Sequence, residues 1–366
     1  MRTASYALTV AKPLTSARIG ALVFTFVTFV FIGVACAQGG GAGDRDPGDV
    51  SQRLMQPTVV GISYDAAGER VFASLCRVRL YDCDLAEISV RGAGSLRYFR
   101  SGGSLGYIQP TVSANGRFLY AARVPRSQRP SQRNADQELV QIDLMSGTET
   151  VISPSDGFRY ERLISIDETN ILAVQSYLSV EGLRCRGDFC TNAARVVLFG
   201  ERRPYVLPDV GTVGEVGRIN VSIVPLGAGG AWIKAAAEQD VEGVQGRTMV
   251  TWLFNSRANE LSAPTSNVNV ARGLFESFAN SREGVRWRWE QLFPAGGPLE
   301  LRPFPPNRET LGGVEQVSLT ADGQGVRLTK RRDGMSVRLD LEVVENRGAS
   351  PWRSLRRVSV AYAPPT

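Results

Sequence analysis

The alternation of hydrophobic and polar residues is clearest in residues 108–152. Short hydrophobic runs there are separated by polar turns, and the turn Asn115-Gly116 joins two of them. Asn-Gly between two hydrophobic runs is a strong β-hairpin signal. The segment therefore predicts four short antiparallel strands, which is the size of one β-propeller blade. Since a lone blade leaves both of its faces uncovered, we expect further blades in the rest of the chain.

The same succession of strand, polar turn and returning strand recurs about every 50 residues. The six polar turns lie at residues 65–68, 114–116, 167–170, 227–230, 280–284 and 320–323. The fifth blade is predicted to begin with a strand over residues 274–279, and no long helical pattern is expected after Ala37. We therefore predict an all-β protein, a single propeller of six four-stranded blades over residues 54–366. A pair of β-sandwiches is the alternative, which explains the strands but not the recurring turn.

Residues 1–37 have the pattern of a targeting segment. Basic residues come first without any acid, an uncharged apolar run follows over residues 19–37, and the run ends in Ala35-Cys36-Ala37. This end fits the cleavage pattern of a secretory signal peptide. Two alternatives stay open, because the run is long enough to remain as a membrane anchor and Cys36 fits a degenerate bacterial lipobox as the lipidated residue. All three place the rest of the chain outside the cytoplasm, with residues 38–53 as a linker.

The composition excludes several kinds of chemistry. Histidine is absent, so histidine bases, histidine metal ligands and Ser–His or Cys–His nucleophile pairs are excluded. A phosphate-loop motif is also absent from the sequence. We therefore predict no catalytic residues, no cofactor and no metal. Because glycosidases need two carboxylates and no histidine, a carboxylate-dependent, glycan-active propeller enzyme is the alternative.

The net charge does not predict nucleic-acid binding. Half of the net charge of +6 belongs to the three basic residues of the targeting segment. The remaining chain is close to balanced, whereas nucleic-acid-binding domains carry a strongly basic face. We expect contact with a membrane only through the N-terminal segment.

Four cysteines follow the targeting segment, at Cys76, Cys83, Cys185 and Cys190. An even number of cysteines in an exported protein predicts two disulfides. Three pairings are possible, and the local one joins Cys76 to Cys83 and Cys185 to Cys190 across two short loops. The spacing does not match the paired CxxC pattern of zinc sites.

An arginine-rich loop lies between the two cysteine loops. In a four-stranded blade, the loops that join the second strand to the third (B–C loops) share one face of the propeller with the connections between blades. The B–C loop of blade two occupies residues 124–137 on that face. Because the planar guanidinium group suits carboxylate and phosphate recognition, we predict that the face binds an acidic protein surface or an envelope polyanion. The predicted binding residues are Arg123, Arg126, Arg129 and Arg133.

The sequence QPTVSANGRFLYAA, followed by LVQIDLMSGTETVI, resembles the TolB-like, WD40-like propeller repeat. The residues that carry the resemblance are Pro110, Ser113, Asn115, Gly116, Arg117, Asp143, Leu144, Ser146 and Gly147. The resemblance implies a protein-binding propeller, often periplasmic. It does not extend to the α/β domain that precedes the propeller of TolB, since only a short linker stands there. The prediction is thus an exported, non-enzymatic binding or scaffold protein of the bacterial cell envelope, or alternatively a membrane-tethered accessory subunit of an envelope complex.

Overall fold

The computed structural model describes most of the chain after residue 56. The described residues are 57–77, 81–127, 136–178, 192–200, 204–213, 221–227, 229–241, 244–280, 316–320, 324–334, 336–345 and 353–365. They form twenty strands and one α-helix. The segments predicted as a targeting sequence and a linker, residues 1–37 and 38–53, lie outside this description.

The strands form five antiparallel four-stranded sheets, each with its strands side by side in chain order. We call these sheets blades one, two, three, four and six, which keeps the numbering of the predicted blades. Blade one contains β1 Thr58–Asp65, β2 Arg70–Cys76, β3 Cys83–Ser89 and β4 Ser95–Arg100. Blade two contains β5 Leu105–Val112, β6 Phe118–Pro125, β7 Glu138–Asp143 and β8 Glu149–Ser153. Blade three contains β9 Arg159–Ser165, β10 Ile171–Leu178, β11 Asn192–Phe199 and β12 Tyr205–Val213.

The two C-terminal blades have longer middle strands. Blade four contains β13 Val221–Gly227, β14 Gly230–Val241, β15 Val244–Asn255 and β16 Glu260–Leu261. Blade six contains β17 Gln316–Leu319, β18 Gln324–Asp333, β19 Ser336–Glu345 and β20 Arg353–Tyr362. The helix, α1, spans Val268–Asn280 and follows blade four.

The hairpin predicted in blade two forms for local reasons. Ser113 Oγ accepts a hydrogen bond of 2.9 Å from the Phe118 N–H, and Asn115 Oδ1 accepts one of 3.1 Å from the Arg117 N–H. Gly116 has a φ of 70°, which glycine adopts without the penalty paid by other residues. A Cβ at this position would also lie 3.0 Å from the Asp65 carboxylate of blade one. The turn therefore shapes its own blade and also fits against the neighbouring one.

The blades pack face to face, because alternate residues of one strand point to opposite faces of its sheet. In β10, Ile171 and Ala173 belong to a core shared with blade two, whereas Leu172 and Val174 belong to a core shared with blade four. Burying a side chain of this kind contributes about 1.5–3 kcal/mol, so a strand with both faces covered is strongly stabilised. This arrangement of radially packed four-stranded sheets is a β-propeller, and the predicted all-β fold is confirmed.

The first strands of the blades are the innermost ones, and they contact each other in the order β17, β1, β5, β9 and β13. One type of hydrogen bond repeats along this series, in which a side-chain hydroxyl accepts from a backbone N–H of the next blade. Ser318 accepts from Tyr64 at 3.0 Å, Ser63 from Val112 at 2.9 Å, and Thr111 from Ser165 at 3.1 Å. The first of these joins blade six to blade one, so the ends of the described chain meet there.

The strand predicted over residues 274–279 is wrong, because this segment belongs to α1. Asn267 Oδ1 accepts from the N–H groups of Asn269 and Val270, which caps the first turn of the helix. Ala271 and Phe278 are buried at a helical spacing of seven residues. The apolar residues of this segment therefore follow the 3.6-residue period of a helix and not the two-residue period of a strand. The rest of the predicted fifth blade lies in residues 281–315, outside the description.

In the described part of the chain, no helix is long and apolar enough to cross a membrane.

Candidate functional site

A disulfide joins Cys76 to Cys83, with an S–S distance of 2.02 Å, and confirms this predicted pair. It closes the B–C loop of blade one, since Cys76 ends β2 and Cys83 begins β3. Cys36, Cys185 and Cys190 lie outside the described residues, so their predicted roles stay predictions.

Arg126, one of the predicted binding residues, is used inside the protein. Its guanidinium group donates to Asp82, to Asp84 Oδ1 at 2.6 Å and to the Leu105 carbonyl at 2.9 Å. Its side chain is 13% exposed and that of Asp84 is 1% exposed. Because a buried carboxylate needs a counter-charge and hydrogen bonds, Arg126 holds the disulfide loop of blade one against blade two.

Arg123 has a similar internal role. Its Nε donates to Glu138 at 2.9 Å, and its Nη1 donates to Glu149 at 2.6 Å. Burial, together with a hydrogen bond of 2.9 Å to Glu149, raises the pKa of Tyr107 to about 12. Two of the four predicted binding arginines thus contact carboxylates of their own chain. The prediction of an acid-binding face then depends on Arg129 and Arg133, which lie outside the described residues.

The innermost strand of blade three carries two exposed charged side chains, Glu161 and Arg162. In the pairing of β9 with β10, Arg162 lies opposite Val174 but Tyr160 lies opposite Gln175, which leaves Glu161 as the extra residue of a β-bulge. A bulge changes the direction of side chains, and bulges are over-represented next to active sites. Because the innermost strands of a propeller surround its central channel, both residues belong to a strand that lines the channel.

The bulge recurs on the two preceding innermost strands. The register of β1 shifts between Val59 and Ile62, and that of β5 shifts between Ile108 and Thr111. A Cβ on Gly61 would lie 3.1 Å from Gln109 Oε1, so the bulged segments of blades one and two contact each other closely. The channel wall is therefore built from irregular backbone over three successive blades.

Glu161 has a fixed position on this wall. Ser176, on the neighbouring strand β10, donates a hydrogen bond of 2.5 Å to Glu161 Oε1. Burial raises the pKa of Tyr81, the charge of Arg159 opposes this, and the charge of Glu161 adds to it. The Glu161 carboxylate is thus near enough to Tyr81 to act on its pKa, and one of its oxygens accepts a hydrogen bond from a hydroxyl group.

The Arg162 guanidinium group has no counter-charge among the described residues. Desolvation is the one cause that lowers its pKa, and no residue in the described part of the chain forms an ion pair or hydrogen bond with its guanidinium group. The residue is nevertheless exposed by its accessible area. A lowered pKa and an exposed surface are compatible if protein atoms surround the Arg162 side chain while part of it still contacts water.

A chain of buried contacts links the disulfide loop to this site. Tyr81, in the loop closed by the disulfide, forms a hydrogen bond with the Gln137 side chain. Gln137 is 1% exposed, and its Oε1 accepts a hydrogen bond of 2.8 Å from the Tyr160 N–H. Tyr160 directly precedes Glu161 on β9. The blade-one loop therefore positions the start of the strand that carries the site.

The sequence analysis missed Glu161 and Arg162 as site residues. The available signal was two adjacent charges at the start of the hydrophobic segment ERLISI, which directly precedes the predicted turn at residues 167–170. Within the described residues, no group of three or more carboxylate or cysteine side chains is arranged to bind a metal ion.

The comparisons with known proteins gave matches among solved structures alone. No protein-family model matches the sequence, and no curated protein matches it. An oligogalacturonate lyase in complex with manganese is 10% identical with a TM-score of 0.35, and the match covers 83% of this chain and 66% of that one. An inulosucrase from Halalkalicoccus jeotgali bound to kestose is 10% identical with a TM-score of 0.37, covering 84% and 89%. A thermostable family-43 glycoside hydrolase is 10% identical with a TM-score of 0.39, covering 82% and 93%.

These similar structures correct one expectation. All three are enzymes, whereas the sequence analysis predicted a non-enzymatic binding or scaffold protein. That prediction is contradicted, and we do not retain it. At 10% identity and TM-scores of 0.35 to 0.39, however, no activity or substrate is transferred to this chain. The residues that bear on a more specific function are the exposed charges of the innermost strand, Glu161 and Arg162.

Proposed function

We propose that the protein is an enzyme that acts on a glycan in its central channel, with Glu161 as an acid–base group. The observation that carries this proposal is the position of Glu161, whose exposed carboxylate lies on a bulge of the innermost strand. Among the described innermost strands it is the one solvent-exposed carboxylate. Most glycoside hydrolases use a pair of carboxylates and no histidine, so glycoside hydrolysis is compatible with a chain that has no histidine.

The surroundings of Glu161 suit proton transfer. The hydrogen bond from Ser176 fixes one carboxylate oxygen and leaves the other available to a substrate. A positioned carboxylate of this kind contributes about 10²- to 10⁴-fold to a rate through general acid–base catalysis. Hydrolysis of a glycosidic bond would need a second carboxylate on the other side of that bond.

Two further features of the protein belong to the same proposal. The blade-two motif resembles the TolB-like repeat, although no family model matches the chain. Export out of the cytoplasm is supported by the Cys76–Cys83 disulfide, since disulfides persist in oxidising compartments. The N-terminal sequence pattern of residues 1–37 supports it as well. The intact mass of the protein purified from its native source tests this, because removal of residues 1–37 gives a distinct mass.

The substitution Glu161→Gln tests the enzymatic proposal. We expect the wild-type protein to release new sugar ends from at least one member of a panel of envelope and plant polysaccharides, and E161Q to lose at least 100-fold of that rate. Glu260→Gln is the matched control, since Glu260 is an exposed carboxylate on the outermost strand of blade four. Equal rates for E161Q and wild type, or no turnover of any polysaccharide by the wild type, would overturn the proposal.

A further inference from the structure

Arg162 differs from several other arginines of blades one to three in its partners. Arg123 and Arg126 each contact two carboxylates, and Arg70 donates to Asp65 at 2.8 Å. Arg162 lies on the innermost strand, directly after the Glu161 bulge, with no such partner in the described part of the chain. Among the described residues, Arg70, Arg123 and Arg126 thus have carboxylate partners and Arg162 has none.

An unpaired, partly desolvated charge has a cost in stability. Removing a charged group from water is unfavourable unless an opposite charge and hydrogen bonds replace the water. Local features that lower stability without a compensating contact are concentrated at functional sites. For Arg162 the missing partner is an anion, which a ligand can supply.

We propose that Arg162 binds the carboxylate of an acidic sugar, so that the glycan in the channel is a uronic-acid-containing one. The inference rests on the proposed glycan activity and names its substrate class. The guanidinium group forms paired, parallel hydrogen bonds with a carboxylate, which gives both affinity and orientation. Arg162 then fixes one sugar ring while Glu161, the preceding residue, faces the adjoining bond.

The positive charge of the channel supports this choice of substrate. Arg159 lies on the same strand. Its charge lowers the pKa of Tyr81, whereas the charge of Glu161 raises it. With Glu161 counted, β9 still carries two positive charges against one negative charge, and a site with a net positive charge raises the local concentration of anionic ligands. A neutral glycan offers hydroxyl acceptors but no opposite charge, whereas the carboxylate of an acidic glycan also offsets the cost of desolvating the cation.

The test compares two ligands that differ in one charge per sugar, tetragalacturonate and its fully methyl-esterified form. Titration calorimetry should show that the wild-type protein binds the acid at least 10-fold more tightly than the ester. Arg162→Gln should weaken binding of the acid by about 10- to 100-fold, the range expected for losing a charge-assisted hydrogen-bonded pair. It should leave binding of the ester unchanged. Arg353→Gln is the control with the same change in net charge, since Arg353 is exposed on the outermost strand of blade six.

Thermal unfolding adds a readout that a purely structural role would not give. Because Arg162 has no partner in the described structure, R162Q should unfold at the same temperature as the wild type or at a higher one. A large drop in the unfolding temperature would show that Arg162 has a structural partner and would overturn the inference.

The two proposals fail in different ways. If R162Q binds the acid as tightly as the wild type, or if the wild type does not prefer the acid, the inference about acidic sugars is overturned, whereas loss of turnover in E161Q still supports the glycan activity. If acid binding depends on Arg162 but E161Q turns glycans over at the wild-type rate, the assignment of Glu161 fails and the acidic-sugar site stands.

Discussion

Arginine side chains in this propeller differ in whether they have a partner within the described structure, and their sequence context does not reveal which ones do. Arg126 lies in an arginine-rich polar loop, a setting that suggested an external ligand, yet its partners are Asp82 and Asp84 of the neighbouring blade. Arg162 lies at the start of a hydrophobic strand, a setting that suggested structure, yet it has no partner among the described residues. Which arginine is free depends on contacts between blades, and these join residues distant in sequence.

At the scale of single residues, we expect Arg126→Gln to destabilise the protein. The substitution leaves the Asp84 carboxylate, which is 1% exposed, without its closer ion-pair partner. Breaking a buried ion pair by removing one member costs about 3 kcal/mol or more. The control is Arg91→Gln, which breaks the exposed pair of Arg91 with Glu69 and should cost less than about 1 kcal/mol. Urea unfolding followed by circular dichroism measures both, and equal midpoints for the two variants would contradict the internal role of Arg126.

At the scale of elements, α1 is held against blade four by a close contact. A Cβ on Gly230 would lie 2.1 Å from the ring atom Cζ of Phe278, so the glycine is required where the helix meets β14. We expect Gly230→Ala to cost about 1–3 kcal/mol, the usual penalty for overfilling a packed core. Chemical unfolding of G230A measures this cost directly.

A double substitution separates this contact from other effects of the alanine. In a Phe278→Ala background the obstacle is gone, so the added cost of Gly230→Ala should fall to a few tenths of a kcal/mol. If the two costs add independently, the helix does not pack on β14 as described, and α1 would lack its anchor on blade four.

How far the sequence predicts each element depends on whether its cause is local. The hairpin of blade two was predictable, because Ser113, Asn115 and Gly116 form their turn with near neighbours. The strand predicted over residues 274–279 failed, because a short apolar run fits both a helix and a strand and its packing on Gly230 decides between them. The Glu161 bulge was beyond prediction, since it exists only in the pairing of β9 with β10.

At the scale of the whole molecule, the junction between blade six and blade one is rich in contacts that connect distant parts of the chain. The Lys330 ammonium group donates to the Pro57 carbonyl at 2.9 Å, and the Tyr98 hydroxyl donates to the Ala363 carbonyl at 2.6 Å. Tyr98 and Tyr362 also form a hydrogen bond with each other, and burial raises the pKa of both. The ring is thus closed by side chains, including two tyrosines that must stay protonated.

This closure predicts a loss of stability at alkaline pH. A tyrosine whose pKa is higher in the folded state than its unfolded value near 10 binds its proton more tightly when folded. It therefore contributes stability that is fully present below about pH 10 and is lost as the pH rises through the folded pKa. Tyr107, whose pKa is raised to about 12, adds to the two closure tyrosines. Because the chain has no histidine, we expect little change in stability from about pH 6 to 9, since no other side chain of ordinary pKa titrates there except a free cysteine.

Urea unfolding at pH 7, 9 and 11 tests this expectation. The midpoint should be similar at the first two values and clearly lower at the third. The double variant Tyr98→Phe, Tyr362→Phe lacks both ionisable hydroxyls, so its midpoint should fall less between pH 9 and 11 than that of the wild type. Tyr205→Phe, which changes a more exposed tyrosine on the outermost strand of blade three, should keep the full wild-type fall. An equal fall in all three proteins would mean that alkaline unfolding starts elsewhere and that the tyrosine contacts do not control closure of the ring.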